Sequence, residues 1–184
     1  MINLERISPA TIRSFFGKLV KMSFFDLGKQ HESVEATYLT DMLTEFARTE
    51  KLYKLQDSKD TNIQTIVEML LETQNVQEES TESEREVRKY VGDFSLFMSG
   101  IFRDYVNRGS YLRYYMDEGM KSYFVVSRID LETGKGDPIM FSRLSREFEF
   151  YSGALDYMRK VYFTQCSSTD PLSQFTYQIS KLEH

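Results

Sequence analysis

The sequence predicts an all-α protein, a compact bundle of about six mostly antiparallel helices. Three observations predict it. Apolar residues recur at the 3.6-residue period over several long segments. Helix breakers are sparse, 3 Pro and 9 Gly in 184 residues, so those segments run unbroken. Fourteen Phe and twelve Tyr supply bulky side chains for a helical core. With 41% hydrophobic and 28% charged residues, a chain of this length fits one domain and buries a core without metals or disulfides.

The elements follow in order. Ser8-Pro9 is a helix start, with Ser as cap and Pro in the first turn. Ile12, Phe15, Phe16 and Leu19 then mark a helix that runs to about Phe25 and stops at Gly28. Ser33 caps a second helix whose buried stripe is Leu39, Met42, Leu43 and Phe46, and the pattern allows it to continue through Leu52 and Leu55. Ile63, Ile66, Val67, Leu70 and Leu71 mark a shorter third helix, followed by a polar connector over 74–83. The fourth helix spans about 81–107, with Val87, Tyr90, Val91, Phe94, Phe97, Met98, Ile101, Phe102 and Tyr105 on one face. Glu84 and Arg88 on it form an i,i+4 pair in the favourable orientation.

Arg108-Gly109-Ser110 is a break, with Ser110 as the next cap. A fifth helix carries Leu112, Tyr115, Met116, Gly119, Met120 and Tyr123. Residues 125–131 alternate well enough for a short strand, but a lone hairpin is marginal, so helix is preferred. Asp137 caps and Pro138 opens a sixth helix with Phe141, Leu144, Phe148, Tyr151, Leu155, Met158 and Tyr162 on its buried face. The fourth and sixth helices are expected at the centre. Residues 164–179 are polar and form a turn or short helix. The single helical domain covers 1–181, and Leu182-Glu183-His184 reads as the remnant of an expression tag.

Composition excludes several function classes. A net charge of −5 with scattered Lys and Arg gives no phosphate-binding face, so no nucleic acid partner is expected. No membrane association is expected either. The N-terminus lacks a basic region followed by an apolar run, and the longest apolar stretch without charge, residues 94–102, is far short of the roughly 20 residues of a span. Cys166 is the only cysteine, so neither an internal disulfide nor a cysteine zinc site forms. A cytoplasmic location is the expectation.

The residues of common chemistries are also missing. His31 is the one histidine outside the tag, and Gly28 stands three residues before it. The Glu-x-x-His pairs of a di-iron bundle are therefore absent. Gly134-Lys135-Gly136 lacks phosphate-loop spacing and reads as a turn. No catalytic residue, no metal site and no cofactor is assigned.

Three segments carry a resemblance: Tyr38-Leu39-Thr40-Asp41-Met42-Leu43 with Phe46 to Glu50, then Val91-Gly92-Asp93-Phe94-Ser95-Leu96-Phe97-Met98-Ser99-Gly100-Ile101-Phe102, then Tyr114-Tyr115-Met116-Asp117-Glu118-Gly119 with Tyr123. From Tyr38 to Tyr162 the chain resembles an uncharacterised family of bacterial all-helical proteins. The resemblance implies a bacterial cytoplasmic protein and brings no assigned activity with it.

The same segments have a physical reading. Gly92 and Gly100 sit inside a helix, where glycine costs up to about 1 kcal/mol relative to Ala. Close helix crossing compensates, with Gly119 as the facing residue; the competing reading is a gap for a ligand. Asp93, beside the apolar stripe, pairs with Arg48 of the second helix, either to specify the fold or as the polar floor of a pocket. Tyr111, Tyr114, Tyr115 and Tyr123 crowd one helix, as core-edge rings or as the lining of a pocket.

Two functions are therefore carried forward. One is a non-enzymatic protein-interaction or regulatory module, acting as a homodimer or with another protein partner. The alternative is a small-molecule-binding protein or enzyme with a buried tyrosine-lined pocket, whose ligand-binding residues are Arg48, Asp93, Tyr115 and Tyr123.

Overall fold

The computed structural model describes residues 8–48 and 80–163. The described residues form seven helices and no strand: α1 (Pro9–Asp26), α2 (Val34–Arg48), α3 (Thr81–Gly100), α4 (Arg103–Arg108), α5 (Leu112–Thr133), α6 (Pro138–Arg146) and α7 (Phe148–Tyr162). The fold is all-α, as the periodicity predicts. The continuation of the second helix, the helix at Ile63 to Leu71 and the C-terminal segment fall outside the described residues.

The turn chemistry accounts for most boundaries. Gly28 takes φ +71, and the Lys29 and Gly28 N–H groups donate to the carbonyls of Phe24 and Phe25, a Schellman closure of α1. The Ala36 N–H donates to Ser33 Oγ at 3.1 Å, and the Met140 N–H to Asp137 Oδ1 at 2.9 Å, so both expected caps operate. Ser8 occupies the cap position of α1 but makes no side-chain cap bond. Ser80 caps α3, a cap the sequence reading did not name. Ser110 is no cap: it adopts φ +60 in the turn, and Tyr111 precedes α5.

Two helix boundaries differ from expectation. The expected helix over 81–107 breaks after Gly100, where Phe102 leaves helical geometry (φ −106, ψ 31). Ile101 and Phe102 nonetheless stay buried, and the bend sets the Phe102 ring edge-on to Phe97 at 5.4 Å. The break thus follows Gly100, and the packing of Phe102 on Phe97 accompanies the change of direction. The expected sixth helix is likewise two, separated at Glu147 (φ −110, ψ 23), which lets Phe148 turn fully inward. The 125–131 stretch is helical, and α5 runs on to an αL cap at Gly134.

The C-terminal half of α3 is the axis of the fold. All ten residues from Val91 to Gly100 are buried, as in a helix with neighbours on every side. α3 packs most extensively on α5, then on α7, while α6 lies on α5 and α1 spans α2 and α7. The centre is therefore the α3–α5 pair and not the pair expected from the sequence. α1 and α2 run antiparallel, as Arg13–Asp41 and Lys21–Glu32 show, and so do α5 and α6, as Ser127–Pro138 and Met120–Ser145 show. The α3–α4 and α7 segments run in the same direction, with Ser99 against Ser152 and Asp104 against Arg159.

Glycines set the approach distances. A Cβ on Gly92 would meet the Tyr123 ring at 2.7 Å, and one on Gly100 would meet Leu155 Cβ at 2.6 Å. Close crossing is therefore the role of both. Gly119 does not face them, contrary to expectation: it faces Phe148 and Ser95.

Candidate functional site: a buried carboxylate and its cleft

Asp93 is the node that joins three helices. It is 7% exposed, and its neighbours on α3 are apolar or small. Tyr38 of α2 and Tyr123 of α5 both donate their phenolic O–H to Asp93 Oδ1, at 2.5 and 2.8 Å. One turn earlier on α3, Lys89 Nζ donates to Oδ2 at 2.9 Å. The Lys89 ammonium also lies 5.5 Å from the centre of the Tyr38 ring, on its face. Gly92 makes this possible, because only a hydrogen there leaves room for the Tyr123 ring.

Electrostatics follow from burial. Desolvation pushes the Asp93 carboxyl above the ordinary aspartate range, against the pull of Lys89 and the two phenols. Burial alone would lower the Lys89 ammonium, but the charge of Asp93 and its hydrogen bond more than offset this and hold it above the usual lysine value. Lys89 is thus a fixed cation and not a free amine nucleophile. Desolvation, reinforced by Asp93, raises Tyr38 and Tyr123 well above ordinary phenols, so both act as neutral donors.

These phenols give the fold a pH dependence of defined sign. Burial also raises Tyr115 and Tyr151. In the unfolded chain all four lose their protons near pH 10. The folded chain retains them, so stability should fall as the pH rises above about 10. Part of the phenolate absorbance should then appear only together with loss of helical circular dichroism. A tyrosine titration completed while the helices remain intact would contradict this reading.

The four residues singled out from the sequence are not brought together. Tyr123 and Asp93 share the node. Arg48 is exposed in the last turn of α2, and the cation on Asp93 is Lys89 instead. Tyr115 is 1% exposed and packs on Phe94 and Tyr114, two turns of α5 from Tyr123. The signal for Lys89 was legible as a Lys four residues before an Asp on one helix. Tyr38 gave no comparable signal.

A second buried carboxylate was not anticipated. Asp130 is 0% exposed and receives Arg85 Nε on Oδ1 and Arg85 Nη2 on Oδ2, the latter at 3.0 Å. The Asp137 N–H also donates to Oδ2, at 3.0 Å. Gly136, at φ +70, lets the 134–137 loop close over this carboxylate, since a Cβ there would fall 2.2 Å from Oδ2. Phe141 lies between the two nodes, under the Arg85 guanidinium and against the rings of Tyr38 and Tyr123. On α3, Arg88 Nε and Nη1 are buried without a hydrogen-bond partner, so the expected Glu84–Arg88 pair does not form.

A small cleft opens beside Asp93. It has a volume of about 120 Å³ and is lined by Met42, Glu45 and Phe46 of α2 and by Glu86, Lys89, Tyr90 and Asp93 of α3. Tyr115 and Tyr123 do not line it, so the cleft is not the expected tyrosine-lined pocket. No group of three or more His, Cys, Asp or Glu able to hold a metal occurs among the described residues. No described helix is long and apolar enough to cross a membrane. Cys166 lies outside the described residues.

Comparison of the chain with protein-family models, with curated proteins and with solved structures finds no match.

Proposed function

We propose that this chain is a non-enzymatic protein-interaction or regulatory module of a bacterial cytoplasm, and that its docking face is the outer side of α5 with the start of α6. The setting rests on the resemblance carried by its three segments. One observation carries the docking face. Phe124, Leu131 and Ile139 are 56%, 66% and 65% exposed, three of the seven exposed large apolar side chains among the described residues, and unlike Phe25, Leu27, Val34 and Tyr111 they fall along α5 and the start of α6.

Phe124 and Leu131 are seven residues apart and share one face of α5. Ser127, between them, donates its hydroxyl to the Pro138 carbonyl at 2.8 Å and so sets the start of α6, with Ile139, beside this stretch. The exposed Arg128–Glu132 pair borders it. Apolar residues grouped on a surface with a charged border are the usual anatomy of a protein contact. Each of the three buried carboxylates, by contrast, has a cation of its own: Asp93 has Lys89, Asp130 has Arg85 and Glu35 has Arg143.

A second copy of the chain is the first partner to test. Native mass spectrometry and sedimentation of the parent should show a dimer or a retained protein partner. The Phe124→Ser/Leu131→Ser variant should weaken that association at least tenfold, with helical circular dichroism unchanged. A parent that stays monomeric and partner-free at every concentration overturns the proposal, as does an association indifferent to the two substitutions.

A further inference from the structure

The cleft beside Asp93 has a chemistry of its own, independent of the α5–α6 face. Its lining carries the carboxylates of Glu45, Glu86 and Asp93 against the single ammonium of Lys89. Lys89 is already paired with Asp93 Oδ2, and Glu86 with Arg85 Nη1 at 2.8 Å. Glu45 makes no ion pair among the described residues and stands exposed on α2. Each oxygen of an ionised carboxylate accepts about two donors. Asp93 Oδ1 holds both phenols, whereas Oδ2 holds only Lys89, so Oδ2 retains accepting capacity in a residue that lines the cleft.

The remaining walls are apolar and polarisable. The Phe46 and Tyr90 rings meet at 6.3 Å with a 42° tilt. Phe46 is held in place by stacking on Phe97 at 4.6 Å. Met42 adds a thioether. Aromatic faces beside carboxylates attract cations and not anions. Size narrows the class further. A volume of about 120 Å³ corresponds to roughly four waters at about 30 Å³ each, well below the ~300 Å³ at which pockets for drug-sized ligands begin.

We infer that the α2–α3 cleft binds a small organic cation, a guanidinium or short alkylammonium group, with its charge on Glu45 and Asp93 Oδ2 and its flank on Tyr90 and Phe46. Anions and larger ligands are excluded by the same lining.

The test uses the whole chain with methyl-labelled methionine, titrated with methylguanidinium chloride and, in parallel, with sodium acetate and sodium chloride at matched ionic strength. Met42 reports on the cleft, while Met98 and Met158, buried elsewhere in the core, report on the fold. The expected result is a saturable shift of the Met42 methyl with methylguanidinium only, weakened about fivefold by Glu45→Gln and again by Tyr90→Leu. The Phe124→Ser/Leu131→Ser variant should bind the probe as the parent does, which separates this site from the partner face. A shift that does not saturate, one that sodium acetate reproduces, or an affinity unchanged in Glu45→Gln overturns the inference.

Discussion

Replacing Asp93 with Ala should cost the fold about 3–5 kcal/mol, because it removes one partner of a buried, hydrogen-bonded charge pair. The phenols dominate that loss. Tyr123 is 0% exposed, and its hydroxyl has no route to water once Oδ1 is gone. A buried hydroxyl left without a partner costs about 1–3 kcal/mol, and Tyr38, partly buried, adds a share of its own. Lys89 matters less, since its side chain is 30% exposed and can turn outward. For a chain of this size each kcal/mol lowers the melting temperature by roughly 2–4 °C, so the expected fall is on the order of 10 °C. Asp93→Asn keeps an acceptor for the phenols and should lose less than half as much. Urea unfolding of both variants measures the difference. A loss under about 1 kcal/mol in Asp93→Ala would mean that the node does not hold the three helices together.

Gly119→Ala is the second large effect, and its sign is decided by two opposing terms. Alanine in a helix interior gains up to about 1 kcal/mol over glycine. The new Cβ, however, would lie 2.2 Å from Phe148 Cζ, 2.4 Å from its Cε2 and 3.0 Å from Ser95 Cβ. The Phe148 ring is fully buried against Tyr123, and Ser95 Cβ is fixed to the backbone of α3. Neither neighbour can yield without moving a helix. Overpacking of this kind costs about 1–3 kcal/mol and occasionally more. A net destabilisation of about 2 kcal/mol is expected, with α5 displaced from α3 and from the α6–α7 junction. Phe148→Leu shortens the obstructing side chain, so the double variant should recover part of the loss that Gly119→Ala adds. An alanine variant as stable as the parent would show that the α3–α5 contact is looser than the packing described above.

Much of the architecture is written in local patterns. The stripes on α1, α2, α3 and α5, the Gly28 stop and the Asp137 cap all depend on residues a few positions apart, and periodicity reports such relations directly. The breaks after Gly100 and at Glu147 do not. Ile101, Phe102 and Phe148 fit the helical stripe equally well whether the helix continues or bends, because both forms bury them. What distinguishes the two is the position of Phe97 and Tyr123, fixed by tertiary packing.

The candidate site divides in the same way. Asp93 stood out as a carboxylate beside an apolar stripe, and its in-helix partner Lys89 was within reach of the i,i+4 rule. Arg48 stands two residues after Phe46, and the rotation of α2 that buries Phe46 turns Arg48 outward. Asp130 gave no signal, since its cation Arg85 lies 45 residues away and its loop donor depends on the backbone of Gly136. The cleft was invisible for the same reason: it exists only where the faces of α2 and α3 fail to meet fully.

The contact between α1 and α7 has a consequence for synthesis on the ribosome. Phe24 packs on Phe150 and Tyr151, and Asp26 accepts from the hydroxyls of Tyr157 and Tyr162. The first described helix to emerge therefore waits for the last before this part of its apolar face is covered. Until α3 emerges, α1 and α2 can pair only with each other among the described helices. The nascent polypeptide carries an unshielded strip around Phe24 until more than 120 further residues have left the exit tunnel, at ordinary translation speeds an interval of roughly 6–25 s. Docking of that early hairpin is consequently a late event in folding, and the interval before it is when an emerging chain is most open to chaperone capture or to aggregation with its neighbours.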